Sequence, residues 1–131
     1  MRPCYLFCYG TLQHPPLFEQ VAGERFQGEA ARLDGYRCAR VIGEPYPAIV
    51  PDSGAVTHGT LVPLQRPQSL SALDAYEGPL YQRQRLNVEV DGRSVVAWVY
   101  VLKPAYRQRL GGEPWSLETF QRRWASLYCT R

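Results

Sequence analysis

Cys4-Tyr5-Leu6-Phe7-Cys8-Tyr9-Gly10-Thr11-Leu12 opens with six residues that are apolar on both alternating faces. Such a run suits a strand covered on both sides, in the middle of a sheet. Gly10 ends it. Residues 94–102, Ser-Val-Val-Ala-Trp-Val-Tyr-Val-Leu, have the same character and read as a second central strand. Between the two lie shorter runs. Residues 26–32 and 35–42 read as strands around Asp34-Gly35, a hairpin turn signal. Residues 48–50 and 55–63 read as short strands after the breaker-rich loop Gly43-Glu44-Pro45-Tyr46-Pro47. Residues 81–90 alternate, with Leu86, Val88 and Val90 on one face, and Asp91-Gly92 turns the chain tightly into the second central strand.

Three helices punctuate this pattern. Pro15 and Pro16 suit the first turn of a short helix. Leu70, Leu73 and Glu77 share one face of a second helix, which starts near Pro67 and stops at Gly78-Pro79. Ser116 can cap a C-terminal helix with Leu117, Phe120, Trp124 and Leu127 along one stripe. The expectation is about six or seven strands and two or three helices. Hairpin-linked strands argue an α+β fold rather than a parallel βαβ sheet. The 131 residues suit one domain over 1–131, with residues 103–131 a C-terminal linker and helix extension.

Composition removes several classes. Apolar residues make up 45% and charged residues 21%, ordinary for a globular chain. No run approaches the ~20 residues of a membrane span, and no targeting segment is evident, so the expected location is cytoplasmic, with no membrane partner. The net charge of +3 is uneven. Residues 1–78 carry six arginines against eight acids, and residues 79–131 carry nine cations against four acids. The pairs Arg83/Arg85, Arg107/Arg109 and Arg122/Arg123 are scattered, so a solvated face is expected rather than a nucleic-acid footprint. Cys4, Cys8, Cys38 and Cys129 form no CxxC pair, and only His14 and His58 could join them. A metal site is not expected, and the thiols are expected reduced and mostly buried.

No phosphate loop, dinucleotide fingerprint, GxSxG elbow or HExxH is present. Cys8 lies in an apolar strand, where a thiol is inert. Two features remain. The first is Tyr9-Gly10-Thr11-Leu12. Glycine lets the backbone turn sharply and approach a ligand closely, and three successive amides can then serve an oxyanion or carboxylate. An ordinary strand exit has the same residues. The second is Leu73-Asp74-Ala75-Tyr76-Glu77-Gly78, followed by Tyr81. Glu77 shares the apolar helix face and lies in the last turn, where the macrodipole disfavours negative charge. Burial and dipole both push its pKa upward, toward the range of a proton shuttle at neutral pH. Pairing of Glu77 with Arg83 or Arg85 is the bland alternative, with Asp74 a solvated or structural acid.

With Tyr46-Pro47, Arg83 and Ala97-Trp98-Val99-Tyr100, these pieces resemble the gamma-glutamylcyclotransferase-like family over about residues 4–102. The resemblance implies a small, strongly curved mixed β-barrel-like sheet flanked by helices, with one pocket. It implies that Tyr9, Gly10, Thr11 and Leu12 bind the glutamyl part and that Glu77 is the catalytic acid/base. It implies release of 5-oxoproline from a small anionic gamma-glutamyl amine, amino acid or peptide, with no metal or cofactor. Tyr46, Tyr81 and Tyr100 would line the pocket. A non-catalytic small-molecule binder on the same fold is the alternative, and either a monomer or a homodimer fits.

Overall fold

The expected Asp34-Gly35 hairpin is not one, and residues 48–50 and 55–63 belong to a single strand, so five strands rather than six or seven build the sheet. A computed structural model describes residues 4–129. Its strands are β1 (Cys4–Cys8), β2 (Glu29–Arg40), β3 (Pro47–Leu64), β4 (Tyr81–Val90) and β5 (Arg93–Leu102). They close into a barrel in the order β1-β3-β2-β4-β5. The seam between β1 and β5 is parallel, with Leu6 opposite Trp98, and the other pairs are antiparallel.

Asp34-Gly35 is the instructive miss. The pair does not turn the chain. Gly35 adopts φ +84° inside β2, where the pairing jumps from Asp34–Val56 to Tyr36–Pro51. A positive φ serves a bulge as readily as a hairpin. Here it kinks β2 against a matching irregularity in β3, so the segments expected as four strands are two long bent ones. Such bends let a sheet of few strands close on itself. The real connection is the loop 41–46, closed by Val41 N–H donating to the Tyr46 carbonyl (3.0 Å).

β1 from Leu6 onward and β5 from Val99 onward are covered on both faces, but the first half of β5 is not, and Val96 is 53% exposed. Phe7 of β1 and Tyr9 just after it pack inside the barrel with Leu33, Ile49, Leu61 and Val99. Leu6 and Cys8 point outward into a second core under the helices. These are α1 (Pro15–Ala22), α2 (Gln68–Glu77), α3 (Leu117–Arg123) and α4 (Ala125–Tyr128). Leu17, Phe18, Leu73 and Phe120 are all at most 1% exposed in that layer, and each contributes roughly 1.5–3 kcal/mol by burial. Ser116 caps α3 by accepting from Thr119 N–H (3.1 Å). The C-terminal helix then breaks at Trp124, so Leu127 is 66% exposed instead of continuing the apolar stripe. The four cysteines are unpaired. Only Cys8 is buried, and the other three are half-buried at the edges of the packed layers.

Candidate active site

Where β1 leaves the barrel, the chain enters a 3₁₀ turn over Thr11–Gln13. Its amides are instructive. The N–H groups of Gln13 and His14 donate back to the carbonyls of Gly10 and Thr11. The N–H groups of Gly10, Thr11 and Leu12 have no acceptor among the described residues. Gly10 is not needed here for a positive φ, since its φ is −123°. It is needed for close approach. A Cβ at this position would sit 3.0 Å from Cγ and 3.1 Å from Cδ of the buried Pro47.

This turn forms one wall of a cavity of about 250 Å³. Tyr9, Gly10, Thr11, Leu12, Tyr46, Glu77, Tyr81 and Tyr100 all line it, so every residue singled out from the sequence is brought to one place. Cys8, Pro47, Tyr76 and Tyr128 join them and were not expected as site residues. Tyr76 precedes Glu77 on α2, so a helix end aimed at the cavity brings both. Tyr128 comes from α4 and has no local signal.

The phenols are mostly committed to the protein. The buried Tyr9 hydroxyl donates to the Tyr100 carbonyl (2.6 Å). Tyr81 donates to the Pro47 carbonyl (2.7 Å). Tyr76 and Thr11 share a hydrogen bond of 2.7 Å across the cavity floor. Tyr100 donates to Asp74 Oδ1 (2.7 Å). These rings wall the cavity while their hydroxyls pin its walls together. Among the described residues, only Tyr46 and Tyr128 of the lining tyrosines have no protein partner for the hydroxyl. Tyr9→Phe tests the pinning. It deletes a buried bond to a carbonyl and is expected to cost ~1–3 kcal/mol of unfolding free energy in a urea titration. An unchanged midpoint would remove this bond from the forces that hold the β1–β5 seam.

Glu77 ends α2, with Gly78 at φ +84° turning the chain away. It does not pair with Arg83 or Arg85. Arg83 instead makes a two-pronged contact with Asp74 (2.8 and 3.0 Å) and stacks over Trp98 at 4.3 Å. Arg85 lies 5.2 Å over the same ring. No group among the described residues hydrogen-bonds the Glu77 carboxyl, and no buried side-chain oxygen is left unpartnered, so its oxygens open to the cavity. Burial, and secondly the Asp74 charge one turn away, push its pKa from the ordinary 4.5 up to about 8. Asp74 moves the other way, held low chiefly by the Arg83 hydrogen bond. Burial pushes the Cys8 thiol strongly upward, so it is no nucleophile. Among the described residues, no three His, Cys, Asp or Glu side chains gather as a metal site.

The molecule thus joins a small closed barrel, a cavity that bears the Glu77 carboxyl, and beside that carboxyl a turn whose amides lack acceptors among the described residues. The chain belongs to the gamma-glutamyl cyclotransferase, AIG2-like family, whose sequence pattern matches residues 6–119. It is 30% identical over 118 residues to AIG2-like protein C of Arabidopsis thaliana, covering 88% of this chain and 68% of that one. It is 30% identical over 83 residues to AIG2-like protein A of the same plant, covering 63% of this chain but half of that protein's length. A solved Arabidopsis thaliana structure superposes with a TM-score of 0.75 at 26% identity, covering 98% of this chain and 87% of the other. A gamma-glutamyl cyclotransferase superposes at 0.64 and 15% identity, over 78% and 68% of the two chains, which speaks to fold.

Proposed function

We propose that the protein is a gamma-glutamyl cyclotransferase that releases 5-oxoproline from a small gamma-glutamyl amide. The observation that carries this reading is the Glu77 carboxyl, raised to about 8 and open to the same cavity that Gly10, Thr11 and Leu12 line with unpaired amides. The substrate supplies its own nucleophile. Its α-amine attacks the γ-carbonyl carbon, a new C–N bond closes the five-membered lactam, and the γ-amide C–N bond breaks. An intramolecular attack of this kind needs no serine or cysteine, which suits a cavity whose one thiol is inert. Glu77 takes the proton that the α-ammonium must lose and returns it to the leaving amine. The amides of the 3₁₀ turn stabilise the tetrahedral oxyanion or hold the glutamyl carboxylate.

The test is incubation with gamma-glutamyl amines, gamma-glutamyl amino acids and gamma-glutamyl peptides, with 5-oxoproline and free amine measured by chromatography. The expected result is equimolar release of both from at least one member. A wide panel that yields no 5-oxoproline overturns the reading in favour of a binding protein on this fold.

A further inference from the structure

The sequence reads Asp74 as a solvated or structural acid, but the structure ties it to the cavity. It precedes Glu77 by three residues on α2, a spacing that sets two helical side chains side by side, with Cβ atoms ~5–6 Å apart. Arg83 of β4 donates to both Asp74 oxygens (2.8 and 3.0 Å). Tyr100 of β5, which lines the cavity, donates to Oδ1 as well (2.7 Å). The guanidinium is itself seated over the Trp98 ring at 4.3 Å. Three donated hydrogen bonds and an adjacent cation favour the ionised form, so Asp74 stays a carboxylate. Glu77 receives no such bonds among the described residues.

The other groups around Glu77 carry no charge near neutral pH. Cys8 of β1, Tyr9 just after it, Tyr76 of α2, Tyr81 of β4 and Tyr100 of β5 are all pushed up by burial and stay neutral through pH 9. Burial raises the lining phenols Tyr46 and Tyr128 as well. Glu44 and Arg109, opposite in sign, act on Tyr46, and neither lines the cavity. Asp74 is therefore the one charge that bears on Glu77 among the described residues. Two neighbouring carboxyls with surroundings this unlike divide into a fixed anion and a proton carrier.

We propose, resting on the cyclotransferase reading, that Asp74 is a positioning residue for the proton: fixed as an anion by Arg83 and Tyr100, it leaves Glu77 as the carboxyl that carries the proton from the substrate amine to the leaving amine. The test is a carbon-13 NMR titration of the side-chain carboxyls. Glu77 and Asp74 are assigned by the signals lost in Glu77→Gln and Asp74→Asn. Asp74→Asn keeps an acceptor oxygen and removes the charge. It is expected to lower the Glu77 midpoint, about 8 in the wild type, by ~0.5–1 pH unit. The acid limb of kcat/KM on any active panel member is expected to move down with it. Arg83→Met is expected to raise the Asp74 midpoint, which lies below the ordinary 3.8 in the wild type. A merely structural role would lower rates at every pH and leave the Glu77 midpoint and the acid limb unmoved. An unmoved Glu77 midpoint in an Asp74→Asn variant with wild-type circular dichroism overturns the proposal, as does an unmoved Asp74 midpoint in Arg83→Met. An acid limb that stays in place while the Glu77 midpoint moves also overturns it. The midpoints are read without substrate, so a panel with no turnover overturns the cyclotransferase reading and leaves the charge relation of the two carboxyls to be decided by the titration.

Discussion

Glu77→Gln is expected to lower turnover by ~10²-fold or more while leaving the fold intact. Glutamine keeps the shape of the side chain at the end of α2 and removes only the titrating carboxyl. No described residue depends on that carboxyl for a hydrogen bond, so its loss leaves no orphaned partner in the protein. Near-wild-type rates in the folded variant would take Glu77 out of the mechanism. The wild-type profile carries the same information. If Glu77 must be ionised to accept the ammonium proton, kcat/KM falls on the acid side of about 8, and a flat profile from pH 5 to pH 9 contradicts the role.

The same shift has a consequence for stability with a definite sign. Glu77 holds its proton more tightly in the folded chain, near 8, than at its ordinary 4.5. Between those values the folded state binds more protons than the unfolded state. The favourable contribution is therefore fully present below about 4.5 and is lost as pH rises through about 8. Glu77→Gln has no such term. Melting temperatures should show the variant more stable than the wild type at pH 9, with the gap closing toward pH 5. A wild type that gains stability on Glu77's account between pH 5 and pH 9 would show that the carboxylate is paired rather than isolated.

Glu77 was legible because helical spacing alone places it on the face of Leu70 and Leu73, and Gly78 marks the helix end. β1 was legible for a similar reason, since a run apolar at every position is written locally, whereas the exposed Val96 leaves β5 covered on both faces only in its second half. What was not legible depends on closure. Nothing near Tyr9 says that its hydroxyl ends on the carbonyl of Tyr100. The parallel seam that brings β1 beside β5 decides it. Asp34-Gly35 misled because a positive φ is common to a hairpin and a bulge, and only the partner strand tells them apart. Tyr128 was missed because the expected stripe runs through Leu127. The break at Trp124 turns Leu127 outward and brings Tyr128 to the cavity instead.

Thr11→Pro and Gly10→Val are expected to be the most damaging changes in the turn, by different routes. Proline at Thr11 removes one unpaired N–H. Thr11 opens the 3₁₀ turn, where a fixed φ near −65° is tolerated and no structural hydrogen bond is lost from the amide. If that amide faces the developing oxyanion, its loss lowers kcat by ~10²–10³-fold. The substitution also deletes the hydroxyl that bonds Tyr76, so Thr11→Ala is the required comparison. Thr11→Ala breaks the same 2.7 Å bond and leaves the Tyr76 hydroxyl unpartnered, at ~1–3 kcal/mol of stability, while keeping the N–H. Valine at Gly10 acts through packing. Its Cβ would press on the Pro47 ring, whose carbonyl is already fixed by Tyr81. Moving that ring distorts two cavity walls at once, and overpacking of this kind costs ~1–3 kcal/mol. The expected order of activity is wild type, then Thr11→Ala, then Gly10→Val and Thr11→Pro. Circular dichroism and melting curves separate lost chemistry from lost fold. A folded Thr11→Pro enzyme with near-normal kcat rules out the Thr11 amide as a donor. Thr11→Ala as damaging as Thr11→Pro would instead move the role to the hydroxyl and its bond with Tyr76.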